Sequence, residues 1–312
     1  MADEPVPSSS ARQTVDVAGH RVTLTHLDKV VFASTGTTKA ELLSYYADLA
    51  PHLVAHTAGR PASFVRAPDG PDGQRWFAKH PPPGTPDWVP LVQVAGRSGP
   101  SDYIEVDSPA VLLQMANLGG WEVHVPQWTV PAKPDDPPLH DRLVLDLDPG
   151  PGCDLTTCAV VALRARQLLA DDGLASLPVV SGSKGLHLYA PLAPTGGEHT
   201  TAYAKALAQR LQDEHPRLVT AVMARAERPN KVFIDWSQNT TAKTTAAPYT
   251  LRVRERPGIA TPVTWDELEA AGSPADLAFT MDEVRERVAD RGDLLKPLLA
   301  TKGKRPRLPE DD

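Results

Sequence analysis

The stretch Arg142-Leu-Val-Leu-Asp146-Leu-Asp148-Pro149-Gly150 constrains this chain more than any other. A short apolar run stops abruptly at Pro-Gly, which reads as a buried strand ending in a turn. Side chains two residues apart on a strand share a face, so Asp146 and Asp148 stand side by side. Like charges held that close repel. A divalent cation offsets the repulsion, because hard cations such as Mg²⁺ are bound through one or two carboxylates plus substrate phosphate oxygens. An acidic strand end running into a turn is the plainer reading of Asp-x-Asp alone. The rest of the chain decides between them.

At 312 residues and 41% hydrophobic content the chain suffices for one large or two ordinary globular domains. No apolar run approaches the length of a membrane span. The polar, acidic N-terminus lacks the pattern of a secretory signal, so a cytoplasmic location without a membrane partner is expected. Cys153 and Cys158 have the spacing of neither a zinc site nor a redox pair and read as reduced thiols. The net charge of -7 argues against a protein that coats nucleic acid unselectively, while leaving room for a local basic surface.

Along the chain, residues 1–13 are Pro/Ser-rich and read as disordered, and 14–298 as one ordered unit. A hairpin is expected over Val15 to Thr25 and an amphipathic helix after Thr37 or Thr38. Lys29 and Lys39 flank that helix start, either solvated or forming a phosphate pocket with helix N–H groups. Trp76 and Phe77, adjacent aromatics among basic residues, suit a base-stacking platform or a strand core. As neighbours on a strand they point to opposite faces, so both cannot serve one core.

A helix over Ser108 to Leu118 precedes an alternating strand on which His124 shares a face with Glu122. A helix from about Asp154 ends near Gly173. Then Ser181-Gly-Ser-Lys184-Gly-Leu-His187 reads as a tight turn between strands, either a decorated hairpin or an anion nest with Lys184 and two serines; it is not a Walker loop. After a helix over Thr200 to Glu214, Arg225, Arg228 and Lys231 lead into Val232-Phe-Ile-Asp235-Trp-Ser-Gln238-Asn239, a second buried strand ending in a carboxylate. Arg252 and Arg254 share a face of a later strand. Residues 299–312 form a mixed charge run read as a disordered tail.

Three strand-end carboxylates, a Gly/Ser/Lys turn and two arginines on one face together describe a site for two divalent cations and a triphosphate. The arginines and the lysine would neutralise phosphate charge, with Arg suited to planar bidentate contacts. No single element is specific; the conjunction is much stronger.

With these motifs the chain resembles the polymerase domain of bacterial ligase D, a primase-polymerase of non-homologous end joining in the archaeo-eukaryotic primase superfamily. The resemblance runs from Thr23-Leu-Thr-His-Leu-Asp-Lys29-Val to Thr264-Trp-Asp-Glu-Leu. It rests on Leu145-Asp-Leu-Asp-Pro-Gly, Ser181 to His187, Val232 to Asn239 and Glu122-Val-His-Val-Pro-Gln-Trp128.

The resemblance implies an α/β primase fold, with an RRM-like catalytic sheet packed against a second small sheet and flanked by helices. It implies that Asp146, Asp148 and Asp235 hold two cations, Mn²⁺ or Mg²⁺. Ser181, Lys184, His187, Arg228, Gln238 and Arg252 would hold the incoming NTP or dNTP, with His124 near its sugar. Lys29 and Lys39 fall where the family binds the 5′-phosphate of a DNA gap or end. Trp76 and Phe77 fall where it usually carries two stacking phenylalanines, so Trp76 is a departure.

The function implied is template-dependent addition of nucleotides, preferably ribonucleotides, to 3′ ends at DNA gaps and breaks, near the bacterial nucleoid, with Ku and a separate DNA ligase as partners. A primase that starts chains without a primer and a dormant module that bridges DNA ends are the alternatives. The acidic N-terminus and charged tail fit a stand-alone protein slightly better than an excised domain.

Overall fold

The computed structural model describes residues 12–96, 99–133, 136–300 and 305–309. Among these, no helix is long and apolar enough to cross a membrane. A mixed sheet and an antiparallel sheet, each backed by its own helices, face one another, as the family's α/β fold implies.

The larger sheet is seven-stranded. Its main path runs Val219–Thr220, Val232–Asp235, Leu139–Pro149, Leu186–Gly196, Leu177–Val180, Thr261–Pro262, and Trp128–Thr129 also pairs with Leu139–Pro149. The central strand Leu139–Pro149 shows the period of two plainly. Leu143, Leu145 and Leu147 are fully buried with residues of helices α3 (Leu155–Asp171) and α4 (Gly197–Glu214). Val144 points the other way, into a smaller cluster with Val179, Tyr189, Leu295 and Leu298. Asp146 and Asp148 lie on Val144's side of the strand, and the alternation therefore aims both carboxylates away from the helices.

The smaller sheet has six strands. Its path runs Thr245–Ala246, Gly120–Val125, Pro61–Arg66, Ser101–Glu105, Leu91–Val94, with Trp76–Ala78 paired to Pro61–Arg66. It packs on α1 (Lys39–Thr57) and α2 (Pro109–Asn117) around Trp121, Tyr45, Tyr46 and Leu53. Thr38 caps α1 in a capping box with Glu41, satisfying helix-start N–H groups as the sequence led one to expect. A chain of polar contacts joins the sheets: Arg142 Nε donates to Gln127 (2.9 Å), Gln127 to Thr245 (2.9 Å), and Tyr189 shares a hydrogen bond with Thr245 (2.9 Å).

Two boundary expectations need correction. Arg12 and Gln13, assigned to a disordered N-terminus, pair with Thr25 and Leu24 in a two-stranded ladder; residues 1–11 lie outside the described residues. Within the tail, 305–309 are docked, while 301–304 and 310–312 lie outside the described residues. Arg305 donates to the carbonyls of Asp141 (3.0 Å), Leu298 (2.9 Å) and Ala300 (3.0 Å), and Leu308 is buried against the larger sheet's core. A run of charge signals solvation only when its members find no partners; here one guanidinium fork meets a set of carbonyls, and one leucine supplies an apolar anchor.

Candidate active site

Strand register assembles the carboxylates. Asp146 lies directly opposite Asp235 on one neighbouring strand and opposite His187 on the other, so the three side chains form one row across the sheet. Asp148, two residues on, extends the same face. Burial, then repulsion from Asp148 and Asp235, holds Asp146 well above the usual carboxylate range. Asp148 is raised as well, again by burial first and then by Asp235. Arg252 eases both and Arg228 eases Asp148.

Asp235 is held by its own turn. Its Oδ1 accepts from the Ser237 backbone N–H (3.1 Å) and hydroxyl (2.5 Å), and its Oδ2 from Gln238 Nε2 (3.0 Å). Gln238 Oε1 and Arg228 Nε are buried and lack partners among the described residues. Arg228 reaches the site because Gly150 lets two backbones meet: a Cβ there would lie 1.9 Å from the Arg228 carbonyl oxygen. Its guanidinium stacks over Phe233, 3.8 Å from the ring centroid.

Among the described residues no three His, Cys, Asp or Glu side chains converge into a ready-made metal cage. The donor set nevertheless fits a hard divalent cation. It is all oxygen, its members repel one another, and such a cation commonly completes its shell with water and phosphate oxygens. Soft ligands play no part, since Cys158 faces the helical side, among the core residues packed under the sheet.

The Ser181 turn is built from within. Ser181 N donates to the Gly185 carbonyl (3.0 Å), and the Ser181 hydroxyl accepts from Ser183 N (3.4 Å) and Gly185 N (3.2 Å), with Gly182 at φ +68°. Two of the expected nest donors are thus already engaged, and Lys184 is left exposed. His187 is buried with Nε2 3.5 Å from Asp146 Oδ1; burial first, then Arg252 and His124, lowers its pKa to about 3, so this is a neutral imidazole contact.

Arg252 spans from the Ser181 carbonyl (2.8 Å) to the Glu122 carboxylate (2.9 Å). Arg254, expected on the same strand face, lies in the bend beyond the strand Leu251–Val253 and is exposed.

Glu122 joins the site beyond the residues expected from sequence; its spacing of two from His124 on one strand face is the signal that points to it. His124 Nε2 lies 2.9 Å from Glu122, and the Phe77 ring meets the His124 ring edge-on at 5.6 Å. Trp76 and Phe77 do take opposite faces. Phe77 lies opposite Val65, and Trp76 opposite Arg66, whose guanidinium sits 5.0 Å from the indole centroid. Both aromatics are exposed, 39% and 46%, which removes the core reading.

Arg66 also belongs to a basic corner. Its Nη2 donates to the Leu118 carbonyl (2.9 Å), next to Asn117, whose carbonyl accepts from Lys39 Nζ (2.7 Å). Lys39 is buried rather than solvated, and burial, then Lys29, lowers its pKa to about 8. Lys29 is more open and pairs with exposed Asp69.

Comparison with known proteins identifies the family. The family model described as LigD, primase-polymerase domain, matches residues 38–295. The multifunctional non-homologous end joining protein LigD of Mycobacterium bovis is 47% identical over 283 residues, 89% of this chain and 37% of that protein. The bifunctional non-homologous end joining protein LigD of Bacillus subtilis is 28% identical over 274 residues, 87% of this chain and 43% of that protein. The chain thus spans less than half the length of these relatives.

Among solved structures, the polymerase domain from Mycobacterium tuberculosis ligase D in complex with DNA matches with a TM-score of 0.86 and 46% identity. The match covers 91% of this chain and 99% of that one. The chain belongs to the LigD primase-polymerase domain family, a family of metal-dependent nucleotidyltransferases.

Proposed function

We propose that this chain adds nucleotides, preferably ribonucleotides, to the 3′ ends of DNA gaps and breaks under template direction, in bacterial end-joining repair at the nucleoid alongside Ku and a separate ligase. The observation that carries the reading is the row of Asp146, Asp148 and Asp235, in which burial and then like charge raise Asp146 and Asp148, bordered by Arg252 and Arg228. Those carboxylates would hold two divalent cations, Mn²⁺ or Mg²⁺. When bound, the cations lower the pKa of the attacking hydroxyl and neutralise charge on the reacting phosphates.

The chain's own residues then act on the substrate. The Ser181 hydroxyl already accepts two N–H groups, so its proton is the one it has to give to a phosphate oxygen. Lys184 supplies a mobile ammonium, and Arg252 and Arg228 supply fixed guanidinium groups for the triphosphate. Gln238 holds Asp235 with its amide N–H and keeps its carbonyl oxygen for substrate. Neutral His187 and His124 border the sugar side. The test is extension of a gapped duplex with and without a chelator: loss of extension restored by Mn²⁺ or Mg²⁺ supports the reading, and full extension in chelator refutes it.

For the DNA, Lys29 and Lys39 would hold a 5′-phosphate and Trp76 and Phe77 would stack on template bases. Among the described residues the Lys29 ammonium pairs with the exposed Asp69 carboxylate, a pairing worth about 0–1 kcal/mol, which a phosphate dianion readily displaces. Lys29→Ala is expected to erase most of the advantage of a 5′-phosphorylated gap over an unphosphorylated one, about tenfold or more for one lost charge-assisted contact. Equal advantage in the variant would refute the pocket.

Lys39 adds a pH signature. Below about 8 its ammonium is charged and attracts the phosphate; above, it is neutral and does not. The preference for the phosphorylated gap should fall as pH rises through this value. Comparing anisotropy titrations of the two duplexes from pH 7 to 9 checks it.

A further inference from the structure

Glu122 lies at the centre of the nucleotide side yet touches neither the carboxylate row nor the Ser181 turn directly. It sits on the strand Gly120–Val125 with a side chain 5% exposed. Its Oε2 accepts from Arg252 Nε (2.9 Å) and meets His124 Nε2 (2.9 Å), while its Oε1 accepts from the Val253 backbone N–H (2.8 Å). An ionised carboxylate this deeply buried costs several kcal/mol unless donors surround it. Here three do, and Glu122 stays ionised.

The consequences for its partners follow from donor counting. A carboxylate only accepts, so the His124 nitrogen facing it must carry the proton. His124 is buried and its pKa is lowered, burial being the largest cause, so the ring is neutral with Nδ1 left as an acceptor. An acceptor in that position is complementary to a hydroxyl, and deoxyribose has one fewer to offer. On Arg252, Nε–H goes to Glu122 and one Nη1–H to the Ser181 carbonyl, which locks the guanidinium plane between the two sheets and leaves its remaining N–H groups for phosphate.

We infer that Glu122 is a positioning residue that sets both the Arg252 plane and the His124 tautomer, and thereby nucleotide affinity and discrimination between ribose and deoxyribose. This rests on the nucleotide-addition reading above. Glutamine keeps the size of Glu122 but turns one acceptor into a donor, which then faces either Val253 N–H or the His124/Arg252 pair.

The test has three readouts on the full chain. Steady-state extension of a gapped duplex by Glu122→Gln should show nucleotide KM raised about 10- to 100-fold, as for a misplaced binding group, with a smaller change in kcat. The ratio of ATP to dATP usage should move toward unity, while anisotropy with the gapped duplex stays as in wild type. In a double-mutant cycle with Arg252→Ala, the double variant should be little worse than Arg252→Ala alone, since residues acting as one unit are not additive.

Unchanged KM and unchanged sugar preference in folded Glu122→Gln would overturn the inference. So would a fall in duplex binding parallel to the loss of activity, which marks a merely structural role. Nitrogen NMR of wild-type protein covers a variant that fails to fold: the Nε2–H tautomer of His124 is required, and the Nδ1–H tautomer overturns the inference. If wild-type protein adds no nucleotide, the parent reading fails instead, and the NMR result still stands for Glu122.

Discussion

Asp146→Ala combined with Asp148→Ala is expected to reduce nucleotide addition by about a thousandfold or more, the scale seen when a catalytic unit is removed. Duplex binding should survive, because the basic corner at Lys29, Lys39 and Arg66 belongs to the other sheet and its neighbouring helices. The variant should also be no less stable than wild-type protein in chelator. Both side chains are held above the usual carboxylate range, first by burial and then by like charge, so in the metal-free protein their ionised forms oppose folding.

Adding Mn²⁺ should raise the melting temperature of wild-type protein by binding the folded state alone, and should leave the double variant where it was. Full extension by the variant, or an equal thermal shift in both proteins, would dismiss these carboxylates as the cation site.

The metal row was legible in sequence because a strand has a period of two and Pro-Gly marks its end; Asp146 and Asp148 had to share a face. Pairing with Asp235 was not legible. It depends on register between strands some ninety residues apart, which only the packed core of leucines fixes. Trp76 and Phe77 illustrate the same divide. Alternation required opposite faces, but only the sheet shows that Phe77 meets His124 and Trp76 meets Arg66.

Glu122 was hidden for another reason. Its role comes from three donors, two of them about 130 residues away, and no local pattern announces a buried carboxylate that is fully satisfied. The tail misled because Arg305 reads as solvated charge until four backbone carbonyls are found waiting for it.

Asn239→Ala is expected to lower stability by about 2–5 kcal/mol, although Asn239 touches none of the acidic side chains. Toward the central strand, Val232–Asp235 pairs with Asp146 to Pro149 and stops short of Val144, because beyond Asp235 the chain turns into a short 3-10 helix, Trp236–Asn239. Val144 would lose its neighbour there. The fully buried Asn239 amide takes that place: Oδ1 accepts from Val144 N (2.9 Å), and Nδ2 donates to Val144 O (2.7 Å) and Trp236 O (3.1 Å).

Alanine leaves a backbone donor and acceptor of the central strand buried without partners, at about 1–3 kcal/mol each. Asn239→Asp should be at least as damaging, since it keeps the acceptor, loses the donor and adds a buried charge. Because Val144 precedes Asp146 by two residues on the same face, the loosening acts on the metal row, and kcat should fall at temperatures where the variant is still folded. Urea unfolding measures the first effect and gap filling the second. A stability loss below about 0.5 kcal/mol, the range of an ordinary surface substitution, would show that water replaces the amide and that Asn239 does not hold the strand.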